Sequence, residues 1–439
     1  MKITHLSNSF IIVSSSNFKL ICDPWAGFAL HGGWHSFPEY NQDDLFSAVE
    51  GASHIYISHL HGDHFDPDFL VASGLIEKTF VIKKFAQPIL KKRLESIGAK
   101  NILELESFER RQISEKISVA IVPQITSNSA GADDLVNFDL DTSLVVSDSQ
   151  HIYFNQVDNP LSADDFKQVR KFITRVFGGR IDIASLVCGA ASEFPQCFLG
   201  IDRSRAKQVI TEKLLKDFSI AADILAPKFL FVAGGNYFIP GKHRELNTYI
   251  AKPTSEALKS ALGNNVEFLE LNGGFSINLD VGSPTKVRQD LIPVRDSIES
   301  SIEFHSGSNY DYVNDKELVL SKERLNSLVD EAKSNWVSSI TGKGLVINRD
   351  IIFHVYKNLV FDHDLNLEKN ELTEIKISKD DSSFADSFIS IYICEAAFVG
   401  CLQRRLIWNQ ILSGSHCLFR REPEGYEPDL LFSLNYLVA

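Results

Sequence analysis

The chain reads as an α/β protein in two parts, a large unit over residues 1–280 and a smaller α+β accessory unit over 281–439. Three observations predict this. Short runs of branched and aromatic residues alternate with amphipathic stretches through the first part. At 439 residues the chain is longer than one ordinary domain. Beyond about residue 275 the text turns polar and Ser-rich before regular patterning resumes.

Composition narrows the function classes. Apolar residues at 44% and charged residues at 23% describe a globular protein able to bury a core. A formal charge of -13 argues against a general nucleic-acid or anionic-membrane binder, because neither offers a partner to an acidic surface. No apolar run is long enough to span a bilayer, and Met1-Lys2-Ile3-Thr4-His5 lacks the apolar core of a signal peptide. Cytoplasmic residence is therefore the default expectation. The six cysteines are scattered without C-x-x-C spacing and read as reduced thiols.

Taken in order, strands are expected at 3–6, 9–13 and 18–22, the last two joined by the turn Ser14-Ser15-Ser16-Asn17. The hairpin delivers Asp23-Pro24-Trp25 to a strand end. Residues 27–40 are rich in Gly and aromatics, too apolar for a linker, and read as a rim over a pocket. Trp34 on that rim either stacks on a sugar or base ring or plugs the loop onto the core. His54-Ile55-Tyr56-Ile57 then alternates like a strand and runs into Ser58-His59-Leu60-His61-Gly62-Asp63-His64-Phe65-Asp66-Pro67. Three imidazoles and a carboxylate fall within six positions. The two-residue period of a strand aims His59 and His61 the same way, and the loop turns Asp63 and His64 back toward them. Imidazole and carboxylate together suit one or two divalent transition metals, zinc or iron with manganese also acceptable, and disfavour calcium.

This run, H-x-H-x-D-H, resembles the signature of the metallo-β-lactamase fold superfamily. The resemblance implies a four-layer αββα sandwich with one or two metals at strand ends, His59 and His61 serving the first and Asp63 and His64 the second. It also implies that Asp23 supports the site from outside the ligands, although Asp23-Pro24 reads equally as a simple turn.

A strand at 80–82, a helix at 85–97 with Lys91, Lys92 and Arg93 on its wet face, and a strand at 117–123 follow. Here the resemblance implies a further histidine for the first metal, yet none occurs between His64 and His151. Gln124, Thr126 and the acidic stretch from Asp133 and Asp134 through Asp139 to Asp141 stand in its place. Either a carboxylate substitutes or the first site is weak, and one tightly held metal with a second partial or absent is the expectation. The next hairpin, 144–146 with 151–155, ends at Asp158, where the resemblance implies a bridging carboxylate.

A helix at 164–176, a strand at 183–188, a helix at 204–218 and a strand at 225–232 complete the large unit. Gly189, Pro195, Cys197 and Phe198, then Pro227, Lys228, Ala233, Gly234, Phe238, His243, Asn247, Tyr249 and Ile250, look like the metallo-β-lactamase portion of CMP-N-acetylneuraminate hydroxylase and its bacterial relatives, over roughly residues 1–260. By that resemblance His243 closes the second metal site. Lys242 and Arg244 beside it suit an anionic small-molecule substrate such as a sugar phosphate, or are simply solvated. The two Cys and two His of an iron–sulfur Rieske cluster do not occur in tight pairs, so electrons for oxygen chemistry would come from another protein.

In the second part, helices at 318–336 and 401–413 accompany strands at 345–348, 351–355 and 388–394. His305, His354, His363 and His416 stand alone and read as structural. This unit covers the pocket or makes a homo-oligomer. The leading expectation is metal-assisted hydrolysis of an ester, amide, lactone or phosphodiester in a polar sugar- or nucleotide-like substrate, with Asp63 or Asp158 accepting the proton. Two alternatives stay open: a non-haem iron oxygenase without its own Rieske module, and a degenerate, non-catalytic metal-binding protein.

Overall fold

A computed structural model describes residues 1–439 apart from 126–140, 190, 264, 282–285, 289–290, 296, 363, 368–371, 379–386 and 426. Thr126, Asp133, Asp134, Asp139 and His363 thus lie outside the described residues. Two β-sheets face each other and each carries helices on its outer side. In spatial order the first sheet runs Lys286–Arg288, Phe275–Asn278, Lys2–Ser7, Phe10–Ser15, Phe18–Cys22, His54–Tyr56, Thr79–Lys83 and Asn101–Leu105. The second runs Glu267–Phe268, Phe229–Val232, Ile183–Leu186, Ile152–Asn155, Ser143–Ser147, Ser118–Val122 and Arg111–Gln112.

Strand periodicity explains why there are four layers. In Ser118–Val122, Val119 and Ile121 face the core between the sheets with Leu20, Tyr56, Val146 and Phe231, whereas Ala120 and Val122 face the outer core with Phe166, Phe172 and Phe218. The outer helices of the second sheet are Ala163–Phe177, Arg203–Leu225 and Ser255–Ser260. Those of the first are Gln42–Val49, Pro67–Ala72 and Ile89–Ser96, which cover Ile21, Ile55, Phe80 and Ile82. The result is the αββα sandwich.

The rest of the chain forms a sheet ordered Leu372–Ile377, Asp350–Tyr356, Phe388–Cys394 and Leu418–Glu422, backed by helices including Lys322–Lys343, Glu395–Leu402 and Trp408–Ser413. It is not packed separately. Trp336, Phe353, Phe398, Trp408 and Phe419 share one core with Trp25, Trp34, Phe198, Tyr237 and Leu246 from the sandwich side.

Several boundaries differ from the sequence reading. Residues 345–348 form no strand. The helix expected at 318–336 starts at Lys322, because the Ser321 side chain accepts from Arg324 N, and runs to Lys343 before Gly344 turns left-handed. The helix expected at 401–413 is two helices, broken where Arg404 adopts a positive φ of 59°. The helix expected to stop at Phe218 continues to Leu225, since Ala221, Ala222 and Leu225 extend its buried stripe.

Candidate metal centre

The centre lies where strands of both sheets end. Strand His54–Tyr56 runs parallel between Phe18–Cys22 and Thr79–Lys83. Just past its end, the Ser58 N–H donates to Asp23 Oδ1 at 2.8 Å. The chain then turns tightly, with His64 N and Phe65 N both donating to His61 O at 3.0 and 2.9 Å. Asp66 stops the turn by capping the helix Pro67–Ala72 through Phe69 N at 2.9 Å, with Pro67 at its start.

His59, His61 and Asp141 each offer a ligand atom within 4.8 Å of the others, and so do His59, His64 and Asp158. His59 Nε2 stands 2.8 Å from His61 Nδ1 and 3.2 Å from Asp141 Oδ1. His64 Nε2 stands 3.2 Å from Asp158 Oδ2 and 3.4 Å from Asp63 Oδ2. One nitrogen lone pair serves one ion. The donors therefore divide into His59, His61 and Asp141 on one side and Asp63, His64 and Asp158 on the other. Asp141 supplies the carboxylate of the first group.

Hydrogen bonds behind the ligands determine which ring nitrogen is available. Ser58 Oγ donates to Asp23 Oδ2 at 2.8 Å, so it accepts from His59 Nδ1 at 2.8 Å, leaving the His59 lone pair on Nε2. Asp23 Oδ2 also accepts from His64 Nδ1 at 3.1 Å, which turns the His64 Nε2 lone pair toward Asp63 and Asp158. Asp23 is fully buried and thus organises both imidazoles. His61 is served differently: its Nε2 meets Asn409 Nδ2 at 3.3 Å, from the helix Trp408–Ser413.

Electrostatics tests whether a cation fits. His59 is held well below the usual imidazole range, first by burial and then by His64 and His61, so it stays neutral and able to ligate. For His64, burial works downward, but Asp63, Asp158 and Asp23 hold it well above the usual range. Burial likewise works upward on Asp63, and His64 nonetheless keeps it below the usual carboxylate range. Carboxylates facing Nε2 of His64 thus call for a positive charge at that spot, and the donor set suits zinc, iron or manganese. The residues fit a divalent ion.

Other side chains fix the two acidic ligands. Thr142 Oγ1 donates to Ser58 O at 2.9 Å, holding the residue after Asp141 against the ligand loop. Asp158 follows Val157, a β-branched residue at φ 55° whose N–H reaches Asn155 Oδ1 at 3.3 Å. A Cβ on Gly234 would stand 3.3 Å from Asp158 Oδ1 and 3.1 Å from Val187 Cγ2, so the close approach of this loop needs glycine.

The other expected site residues lie outside the two donor groups. His243, expected as the closing ligand, belongs to neither donor group among the described residues. The turns of Gly241–Tyr249 direct it to the C-terminal segment, where Nδ1 lies 2.8 Å from Ser415 O and the ring packs on Phe361. Trp34, read either as stacking on a sugar or base ring or as plugging its loop onto the core, is 2% exposed and stacks on Tyr237 with centroids 3.9 Å apart, as the second reading has it. Lys242 lies over the Tyr310 ring at 5.5 Å, and Arg244 is a half-buried cation 3.8 Å from Glu245. The reading from sequence missed Ser58, Thr142 and Asn409, none of which carries a spacing signal.

Two other groups have ligand-like spacing but already hold cations. Arg295 Nη1 lies 2.9 Å from Glu39 in the His35, Glu39 and His305 group, and the Met1 amino group lies 3.1 and 2.6 Å from Asp148 and Asp280 in the Asp148, His151 and Asp280 group. Among the described residues no helix is long and apolar enough to cross a membrane.

No family model matches the chain. Over 199 residues it is 28% identical to a Mycolicibacterium smegmatis protein named as a Rieske 2Fe-2S iron-sulfur protein, a match covering 45% of this chain and 36% of that one. The chain thus spans about a third of the length of that relative. Similar solved structures are metallo-β-lactamase fold proteins, including YhfI from Bacillus subtilis, with 14% identity, a TM-score of 0.38, and coverage of 63% of this chain and 98% of that one. CmlA, a diiron β-hydroxylase from Streptomyces venezuelae, shows 15% identity and a TM-score of 0.42 over 66% of this chain and 54% of that one.

Proposed function

We propose that this chain is a metal-dependent hydrolase of a polar, anionic small molecule. One observation carries the reading: buried hydrogen bonds turn the lone pairs of His59 and His64 toward Asp141, Asp63 and Asp158, so a donor set is assembled before any ion arrives. A bound divalent ion supplies Lewis acidity and a more acidic water. Asp158, with its carboxylate about one fifth exposed, is the group placed to take a proton from that water, whereas Asp63 is buried. Ester, amide, lactone and phosphodiester bonds all yield to such a site.

Anionic substrate character is better supported by Lys252 than by Lys242 or Arg244. Lys252 is exposed, and its ammonium contacts the Asn236 side chain without a carboxylate partner among the described residues. Asn236 N donates to Asn8 Oδ1 at 3.2 Å, and Asn8 Nδ2 donates to Asp63 O at 3.3 Å, which links this lysine to the ligand loop. Although the residue reaches solvent, burial of its amine lowers its pKa to about 8.

A second reading, an iron-dependent oxygenase similar to CMP-N-acetylneuraminate hydroxylase, is favoured by the two-His, one-carboxylate set of His59, His61 and Asp141 and by the Rieske name of the relative. It requires a supply of electrons to the metal. The test is metal analysis of protein purified without added metal, then a panel of anionic and neutral esters, lactones and phosphodiesters with and without chelator. Chelator-sensitive cleavage preferring anionic members is expected. Stoichiometric iron with oxygen uptake that depends on a supplied reductant, and no cleavage, would overturn hydrolysis in favour of the second reading. Absence of any stoichiometric metal would remove both.

A further inference from the structure

We infer that Asn409, on the C-terminal side of the chain, is a positioning residue for the ligand His61. The inference rests on the metal-centre reading above. His61 presents Nδ1 to His59 and Asp141, so its outer nitrogen is Nε2, and that nitrogen meets the Asn409 carboxamide at 3.3 Å. An imidazole that ligates through Nδ1 carries its proton on Nε2 and needs an acceptor there. The carboxamide supplies one through Oδ1, since the two ends of an amide exchange by a half-turn of the side chain. Asn409 then does for His61 what Ser58 does for His59 and Asp23 does for His64.

The carboxamide is held firmly enough to act in this way. Its helix, Trp408–Ser413, buries Trp408, Ile411 and Leu412, and the Trp408 indole donates to Leu437 O at 2.9 Å. Beyond the helix, His416 Nε2 donates to Leu30 O at 2.7 Å, and Tyr312 OH donates to His416 Nδ1 at 2.8 Å. His243 holds the intervening Ser415 carbonyl at 2.8 Å. At the same seam the backbones of Gly33 and Gly414 meet so closely that a Cβ on Gly33 would stand 2.1 Å from Gly414 O. The C-terminal segment is thereby keyed into the rim loop, and it brings a polar group to the metal ligands that the sandwich itself does not provide.

The experiment titrates full-length apo protein with cobalt and zinc, following cobalt absorption and zinc competition with a chelating dye. Asn409→Leu keeps the volume and removes the acceptor; Asn409→Asp keeps an acceptor in either orientation. Asn409→Leu is expected to weaken one metal equivalent by about 10–100-fold and shift its cobalt spectrum, leaving the other equivalent unchanged, while Asn409→Asp retains both. Equal affinity in wild type and Asn409→Leu would overturn the inference, and so would equal weakening by both variants, which marks a packing role only. Should Asn409→Leu fail to fold, retention or loss of the weakened equivalent in Asn409→Asp against Asn409→Ser decides in the same way. Wild-type protein that binds neither ion would instead remove the metal-centre reading itself.

Discussion

His61 and His64 stand three positions apart, yet their outer nitrogens are held from opposite ends of the chain, by Asn409 at 3.3 Å and Asp23 at 3.1 Å. The His64 side is wired into the sandwich. Asp23 has no exposure, accepts from Ser58 and His64, and follows the strand Phe18–Cys22 directly. The His61 side is built at a seam, with a partly exposed carboxylate in Asp141 and a neutral carboxamide from the last tenth of the chain. The contrast teaches that His59 and His64 belong to the folding core through Ser58 and Asp23, whereas His61 and Asp141 stand at the seam.

The largest effect should come from breaking the core half. His64→Ala leaves the buried carboxylate of Asp23 without its cation, and by analogy with other broken buried pairs the apo protein should lose about 3–5 kcal/mol in urea unfolding, together with one metal equivalent. A loss below about 1 kcal/mol would show that the two halves are held alike.

Next is the seam half. Asp141→Ala should weaken one metal equivalent by about 100-fold while changing apo stability by no more than about 0.5 kcal/mol, because its carboxylate is partly solvated. Calorimetric metal titration beside urea unfolding separates these numbers, and a stability loss matching that of His64→Ala would erase the distinction.

Acid offers the gentlest test. Burial lowers both His243 and His416, the two imidazoles that grip the seam, from 6.5 to about 3. An unfolded chain takes up protons below 6.5 that the folded seam refuses until about pH 3, so stability present at neutral pH falls as pH drops through this window. Each histidine contributes about 2 kcal/mol of that fall by pH 5. Urea unfolding between pH 7.5 and 5 should show the slope, and His416→Gln should remove about one proton's share of it; an unchanged slope would place the acid sensitivity elsewhere.

Legibility from the sequence follows the same division. The ligand loop could be read because its donors are local: His59, His61, Asp63 and His64 share one turn, and Asp23 and Asp158 end strands whose alternation is plain. The sandwich was legible through the resemblance that this same loop carries, and the structure then sorts Val119 and Ile121 from Ala120 and Val122 onto its two cores. Directions set by distant packing were not. His243 and Trp34 look available in the sequence, but Ser415 and Tyr237 claim them, and no spacing rule announces contacts across such separations. Asn409 is an ordinary helix residue until its helix is docked.

The backbone-to-backbone meeting of Gly33 with Gly414 has a bearing on traffic into the site. Two main chains touching without side chains between them leave no room for an added Cβ, and parting them would strip His416 of Leu30 and Ser415 of His243 together. The carboxylates of Asp141 and Asp158 each stay about one fifth exposed, so an ion diffusing from solvent can reach the donors past them without that contact opening.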